Sequence, residues 1–266
     1  MKRCRVLNLD TVEYGKAWQL QRNLFSARSS GKIDDVLVLT QHPPTYTIGR
    51  RGDTSQLLIS KEELTRRGYS IYEVDRGGAI TYHGPGQIVG YPILGMKSYT
   101  DDYYEYLRML EEVMIRTLNE LGIHAGRRAG FTGVWVNVEN PPSVGRGEKI
   151  GSIGVRIVMG YTMHGFSLNV NNDLSPFSMI IPCNIQDVKM TSICETKGLR
   201  LKAEGVAWTN SFVRAGFLTC KEVEDIIVKQ FASVFGVEIH EWKPVLNEND
   251  LTGLELNYPL EMITSQ

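Results

Sequence analysis

A lone cysteine, Cys183, stands in the context Ile-Ile-Pro-Cys-Asn, behind a proline that fixes the backbone and ahead of the polar Asn184. A thiol becomes a nucleophile only as a thiolate, which needs a nearby base or cation. Lys149, His83 and His164 are the candidates. Lys149 opens Lys-Ile-Gly-Ser-Ile-Gly-Val-Arg156 and could serve as a base or hold an anion. It could equally be a solvated lysine starting a hairpin strand. Upstream lies Arg76-Gly-Gly-Ala-Ile-Thr-Tyr-His-Gly-Pro-Gly-Gln87, with four glycines in ten residues. Such a run lets a ligand approach the backbone and can aim N–H groups at a carbonyl oxygen or a phosphate. It reads as a loop, and its plain alternative is a glycine-rich turn with a structural histidine. His164-Gly-Phe-Ser-Leu-Asn169 offers either a pocket-lining His-Gly pair or a core histidine bonded to a backbone carbonyl.

Several chemistries are disfavoured. The glycine spacing matches neither GxGxxG nor a Walker A loop, and no GxSxG elbow is present. The five histidines are dispersed and the four cysteines form no CxxC, so no metal site is expected. Cys4, Cys194 and Cys220 lack the setting of Cys183, and scattered free thiols suit a reducing compartment. A net charge of −1 gives no argument for nucleic acid, and no apolar run reaches the roughly 18–20 residues of a membrane span. A cytoplasmic protein is expected, with an organelle form that has lost its leader left open.

The elements that must position these residues follow from hydrophobic period and end signals. Strands are expected at Cys4–Leu9, Val36–Thr40, Thr45–Ile48 (around the turn His42-Pro43-Pro44), Ile71–Val74, Val134–Val138, Ile150–Val158 and Met163–Val170. Asp10-Thr-Val-Glu13 has capping-box spacing for a helix to about Arg28, and Ser60 caps a short helix ending at Gly68. A helix over Asp101–Leu121 places Leu107, Leu110, Met114, Leu118 and Leu121 on one face. A last helix follows Thr219, with Glu222 completing its cap and Val223, Ile227, Phe231 and Val234 inside. Clustered strands with few intervening helices predict an α+β fold with a mixed, largely antiparallel sheet packed with helices. One domain over 1–240 and a peripheral C-terminal tail over 241–266 are expected.

Together these segments resemble the octanoyltransferases of lipoate assembly, which move octanoyl groups from acyl carrier protein to protein lysines. The resemblance rests on His42-Pro-Pro-Thr-Tyr-Thr-Ile-Gly49, the run Arg76–Gln87, Thr132-Gly-Val-Trp135, the run Lys149–Arg156, the run His164–Asn169, and Leu174-Ser-Pro-Phe177 through Pro182-Cys183. It implies the α/β catalytic fold shared with lipoate and biotin protein ligases. It implies Cys183 as the acyl-thioester nucleophile and Lys149 as the group that activates the thiol and shuttles its proton. It implies that Arg76, Gly77, Gly78, Ala79, Ile80, Thr81, Tyr82, His83, Ser152, Ile153, Gly154, Gly165, Phe166 and Ser167 bind the acyl substrate. Tyr82 and Tyr91 are expected as walls of an apolar tunnel.

The implied partners are octanoyl-acyl carrier protein as donor, and lipoyl domains of 2-oxoacid dehydrogenase E2 subunits and the glycine cleavage H protein as acceptors. No cofactor, metal, nucleic acid or membrane is implied, and a monomer is expected. Arg50-Arg51, Arg66-Arg67 and Arg127-Arg128 form either a docking face for acidic partners or solvated surface. Three features depart from the family pattern: a longer loop over 140–148, Asn184 where glycine commonly follows the cysteine, and a longer C-terminal region. Two other readings remain open: an ATP-dependent lipoate or biotin ligase, which needs no cysteine, and a non-catalytic lipoyl- or acyl-binding module.

Overall fold

Period-2 runs of β-branched and apolar residues pair into two sheets, and the passage between them builds the site. In the computed structural model, residues 2–137, 147–182, 188–198 and 218–242 are described. Cys183 and Asn184, most of the 140–148 loop and nearly all of the 241–266 tail lie outside the described residues.

The larger sheet is built from β1 (Lys2–Thr11), β2 (Asp35–Gln41), β6 (Gln87–Ile93), β7 (Ala125–Arg128), β8 (Phe131–Val136), β9 (Glu148–Val158), β10 (Tyr161–Asn169) and β12 (Val237–Glu241). Their spatial order is β12-β1-β2-β6-β10-β9-β8-β7, and β11 (Lys189–Met190) pairs with β9. The pairs of β1 with β12, of β1 with β2 and of β11 with β9 are parallel, and the others are antiparallel. The smaller sheet, β4-β3-β5, comprises β3 (Thr45–Ile48), β4 (Ser70–Glu73) and β5 (Ile80–His83). The expected mixed, largely antiparallel α+β architecture is therefore present.

Helix α1 (Tyr14–Ser29) covers one face of the large sheet through Ala17, Leu20 and Leu24, which pack on Leu7, Val36, Val38 and Ile93. Helices α3 (Tyr103–Glu120) and α5 (Cys220–Phe235) cover the other. There Leu107, Leu110, Met114, Leu118, Val223, Ile227 and Phe231 pack on Val134, Ile150, Phe166 and Leu168. Both α3 and α5 match their sequence patterns, and the Thr219–Glu222 capping box forms in full. Val234 packs only at the edge of that core. Short helices α2 (Lys61–Arg66) and α4 (Ile193–Thr196) cap connections, α2 with Ser60 at its head as expected.

Two local expectations give way. The Asp10 capping box does not form, because β1 keeps its ladder to Gln41 as far as Thr11. The cap is Glu13, whose carboxylate accepts the N–H groups of Gly15 and Lys16 at 2.9 and 3.0 Å. The strands flanking the turn His42-Pro43-Pro44 form as expected, and the turn carries the chain from the large sheet to the small one. The glycine-rich run is no continuous loop, since Ile80–His83 is a buried strand and Gln87 begins β6. The chain also stays in the sheet through Glu241, and Trp242 N–H donates to Val6 O at 2.8 Å.

Candidate active site

Between the two sheets, on the α1 side of β9 and β10, lies a cavity that gathers the three glycine-bearing stretches. Arg76, Gly78, Ala79, Thr81 and His83 face Ser152, Ile153, Gly154, Gly165, Phe166 and Ser167 across it, with Tyr14, Val89, Tyr91 and His164 completing the walls. Of the residues expected to line it, Gly77, Ile80 and Tyr82 do not. Strand alternation explains two of them: Thr81 and His83 point inward, so Ile80 and Tyr82 point into the core of Tyr46, Leu64 and Phe177 behind the small sheet. Gly77 spends its N–H on Val155 O at 2.8 Å, tying the loop to β9. Tyr91 is a wall residue as expected. Close backbone approach fixes Gly165, where a β-carbon would lie 2.1 Å from Gly90 O.

Lys149 is not among the lining residues, yet β9 delivers it to the same face. Strict alternation from Ser152 would place residue 149 on the opposite, α3-covered side. A β-bulge intervenes: Val134 pairs with Gly151 but Trp135 pairs with Lys149, leaving Ile150 as the extra residue. Ile150 joins the α3 core, and Gly151 also faces Met114 and Val134. Lys149 therefore emerges on the cavity side with Ser152 and Gly154. It is 2% exposed, and its ammonium lies 5.5 Å from the Trp135 ring centroid. This buried placement replaces the alternative of a solvated hairpin lysine.

A chain of buried hydrogen bonds joins the cavity wall to Lys149. The Arg76 guanidinium donates to Thr47 Oγ1 at 2.8 and 3.1 Å, to Thr47 O at 2.6 Å and to Gly77 O at 2.9 Å. Thr47 Oγ1 sits 3.4 Å from His83 Nε2, and His83 Nδ1 donates to Gln87 Oε1 at 2.7 Å. Gln87 Nε2 donates to Asn169 Oδ1 at 2.9 Å, and Asn169 Nδ2 to Thr191 O at 2.9 Å. Thr191 N–H then donates to Lys149 O at 3.0 Å. Every group in such a network must be matched, so it holds both sheets and the end of β11 in one arrangement.

Three histidines border the site, and all are held neutral. Burial pushes His83 down to about 3, aided by His42 and Arg76. Burial pushes His42 down to about 4; its Nδ1 donates to Val12 O at 2.7 Å and its Nε2 accepts the Tyr91 hydroxyl at 2.6 Å. Burial, with Arg76, Arg156 and Arg22 nearby, pushes His164 to about 3. His164 has φ +56°, which turns its ring toward α1, and its Nε2 donates to Asp75 Oδ1 at 2.7 Å. Its partner is thus a carboxylate, not the backbone carbonyl of the plainer reading.

The other cysteines do not resemble nucleophiles. Burial raises the Cys4 thiol far above its ordinary value, raises Cys194, and pushes Cys220 up to about 12. The paired arginines are largely occupied within the fold. Arg66 and Arg67 bind Glu63, Arg127 binds Glu111 and Glu112, and Arg128 stacks over Phe131. Tyr14, Thr47, Asp75, Gln87, Asn169 and Thr191 were missed as site residues. Gln87 and Asn169 end two of the quoted motifs, Asp75 directly precedes the one that Gln87 ends, and Thr47 lies inside a third, which was the available signal. Among the described residues no cluster of His, Cys, Asp or Glu could hold a metal, and no helix is long and apolar enough to cross a membrane.

Known proteins resemble this chain in sequence and in fold. Residues 13–215 match the family described as the lipoyl protein ligase A/B catalytic domain. An octanoyltransferase of Acidobacterium capsulatum is 41% identical over 88% of this chain and 91% of its own length. One of Rubrobacter xylanophilus is 46% identical over 73% and 83%. Among solved structures, the bipartite lipoate protein ligase studied with its E2 lipoyl domain from Thermoplasma acidophilum superposes with a TM-score of 0.67 at 16% identity, covering 95% of this chain and 91% of that one. A lipoate-protein ligase A bound with ATP gives 0.66 at 16% identity over 95% and 93%. With the fold shared by the ligases and the sequence shared by the transferases, the chain belongs to the lipoyl protein ligase A/B catalytic domain family, within its octanoyltransferase branch.

Proposed function

We propose that this enzyme transfers an octanoyl group from acyl carrier protein to a lysine of a lipoyl domain through an acyl-Cys183 thioester. The observation that carries the reading is the bulge that buries Lys149 on the cavity face beside the chain flanking Cys183. Pro182, immediately before the cysteine, lines one cavity with Met190, and Met190 is the register partner of Lys149. The inert settings of Cys4, Cys194 and Cys220 and the 38–46% identity to octanoyltransferases support the same choice of nucleophile and reaction.

Lys149 takes the Cys183 proton, and the thiolate attacks the carrier thioester. Backbone N–H groups near the glycines meet the tetrahedral oxyanion. The carrier's sulfur leaves with the proton returned by Lys149, and octanoyl remains on Cys183. The ε-amine of the acceptor lysine attacks this second thioester, Lys149 removes its proton, and an amide and a free Cys183 thiol result. Exchange of a thioester for an amide is downhill, so the reaction consumes no ATP. The apolar chain lies against Val89 and Tyr91 and along the backbone of Ser152–Gly154 and Gly165–Ser167. Lipoyl domains of E2 subunits and of the glycine cleavage H protein are the proposed acceptors, served by a monomer in the cytoplasm.

Incubation with octanoyl-carrier followed by intact-mass measurement tests this. A single octanoyl adduct is expected, absent in Cys183→Ala, and released by a lipoyl domain without ATP. Transfer that requires ATP and survives Cys183→Ala would instead make the chain a ligase. Binding without any adduct would make it a carrier module.

A further inference from the structure

His164 takes part in none of these steps, yet it is 1% exposed and is one of the residues that line the acyl cavity. Asp75, which receives Nε2–H, also holds Arg156 in an ion pair. An ionised carboxylate can only accept, so the hydrogen of the neutral imidazole resides on Nε2 and Nδ1 keeps a bare lone pair. That Nδ1 is buried with no hydrogen-bond partner. A buried acceptor without a donor is costly, and in a ligand cavity it points to a donor carried by the ligand.

Register locates it relative to the reacting end. His164 pairs with Val155, six residues along β9 from Lys149; the bulged residue adds little length, so the five remaining steps span roughly 16 Å. An extended eight-carbon chain spans roughly 9 Å from its bond lengths, and the thioester bond, a terminal hydroxyl and its hydrogen bond add about 6 Å. A chain laid along the cavity from the Lys149 end therefore carries its last carbons toward His164. We propose that His164 Nδ1 accepts a hydrogen bond from a hydroxyl at the far end of the acyl chain, so that the enzyme takes ω-hydroxyacyl groups as well as plain alkyl ones. This rests on the acyl-transfer reading above and adds a substrate class to it. The bonds made and broken at the thioester are unchanged.

The test offers carrier-linked octanoyl, 6-hydroxyoctanoyl and 8-hydroxyoctanoyl thioesters to the wild-type enzyme, to His164→Leu and to His164→Asn. The readout is kcat/KM for each hydroxylated chain divided by that for octanoyl. The 8-hydroxy ratio should fall about fivefold or more in His164→Leu, the worth of one hydrogen bond. It should be partly kept in His164→Asn, which retains an acceptor and tolerates positive φ. Within the wild type alone, the 8-hydroxy chain should exceed the 6-hydroxy chain, which decides the matter should either variant fail to fold. Equal ratios in wild type and variants, or equal rejection of both hydroxylated chains, would overturn the proposal, as when a fixed water already occupies Nδ1. Failure of plain octanoyl to load Cys183 would instead overturn the acyl-transfer reading, and the ω-hydroxyl with it.

Discussion

Replacing Gly133 by alanine presses directly on Lys149. Gly133 has φ +122°, and a β-carbon there would lie 2.6 Å from Gly151 O, 2.8 Å from Lys149 Cε and 3.4 Å from its Nζ. Carbon contacts settle near 3.5–4.0 Å, so the lysine stem must retreat by on the order of 0.7 Å or more. The backbone conformation costs about 1–2 kcal/mol for a residue with a side chain. The collision with a carbonyl that cannot rotate away adds about 1–3 kcal/mol. A total of about 2–5 kcal/mol corresponds to a melting temperature lower by roughly 5–15 °C for a domain of this size. The larger effect is catalytic, since a misplacement near 1 Å at a reacting group costs on the order of a hundredfold. Initial rates of Cys183 loading and transfer should be taken well below the variant's melting temperature, with urea unfolding in parallel. Gly126→Ala is the control, because a β-carbon there meets nothing within 4 Å. A Gly133→Ala enzyme that loses stability but loads and transfers at the wild-type rate would falsify the role given to Lys149.

The three site histidines make stability depend on pH. Each is held below its unfolded value near 6.5, so the stabilisation is complete above that pH and is lost as pH falls toward the folded values of about 4 and 3. Between pH 6.5 and 5 the urea-derived stability should drop by about 2 kcal/mol per histidine, and a flat profile would contradict their burial. Asn169→Leu removes the donor to Thr191 O and the acceptor for Gln87 Nε2. It should cost about 2–4 kcal/mol in urea unfolding and slow Cys183 loading; unchanged loading would show that the hydrogen-bond chain does not position the site. Thr219→Ala breaks a complete capping box far from the cavity and should cost about 1 kcal/mol with transfer rates intact. A loss of transfer there would mean that α5 bears on the site.

Long periodic elements were legible from sequence, and short or irregular ones were not. The stripe along α3 and the box at Thr219 are local signals that the tertiary structure leaves in force. The Asp10 box carried an equally good local signal and lost, because a strand ladder to Gln41 satisfied the same backbone groups. Strand β5 was hidden because four residues between glycine pairs show too little alternation to outweigh the turn signal. At the site, glycine density marked the three stretches that converge, but it could not tell Thr81 from Tyr82, since that distinction is a matter of which face the strand presents. The hydrogen-bond chain escaped notice because its members come from five segments, and which of them meet is set by tertiary structure and not within any one motif. The reversal that turns Lys149 inward leaves no trace in the composition of its strand.

That reversal makes chain length, as well as residue identity, a requirement of the catalytic apparatus. Inserting one residue between Lys149 and Ile150 while the bulge remains would shift the alternation by one and turn the amine toward the helical layer. An alignment that merely opened a gap there would score the insertion as trivial. Descendants of this gene should therefore tolerate point changes on the outer surface of β9 more readily than any change in the number of residues separating Lys149 from Ser152.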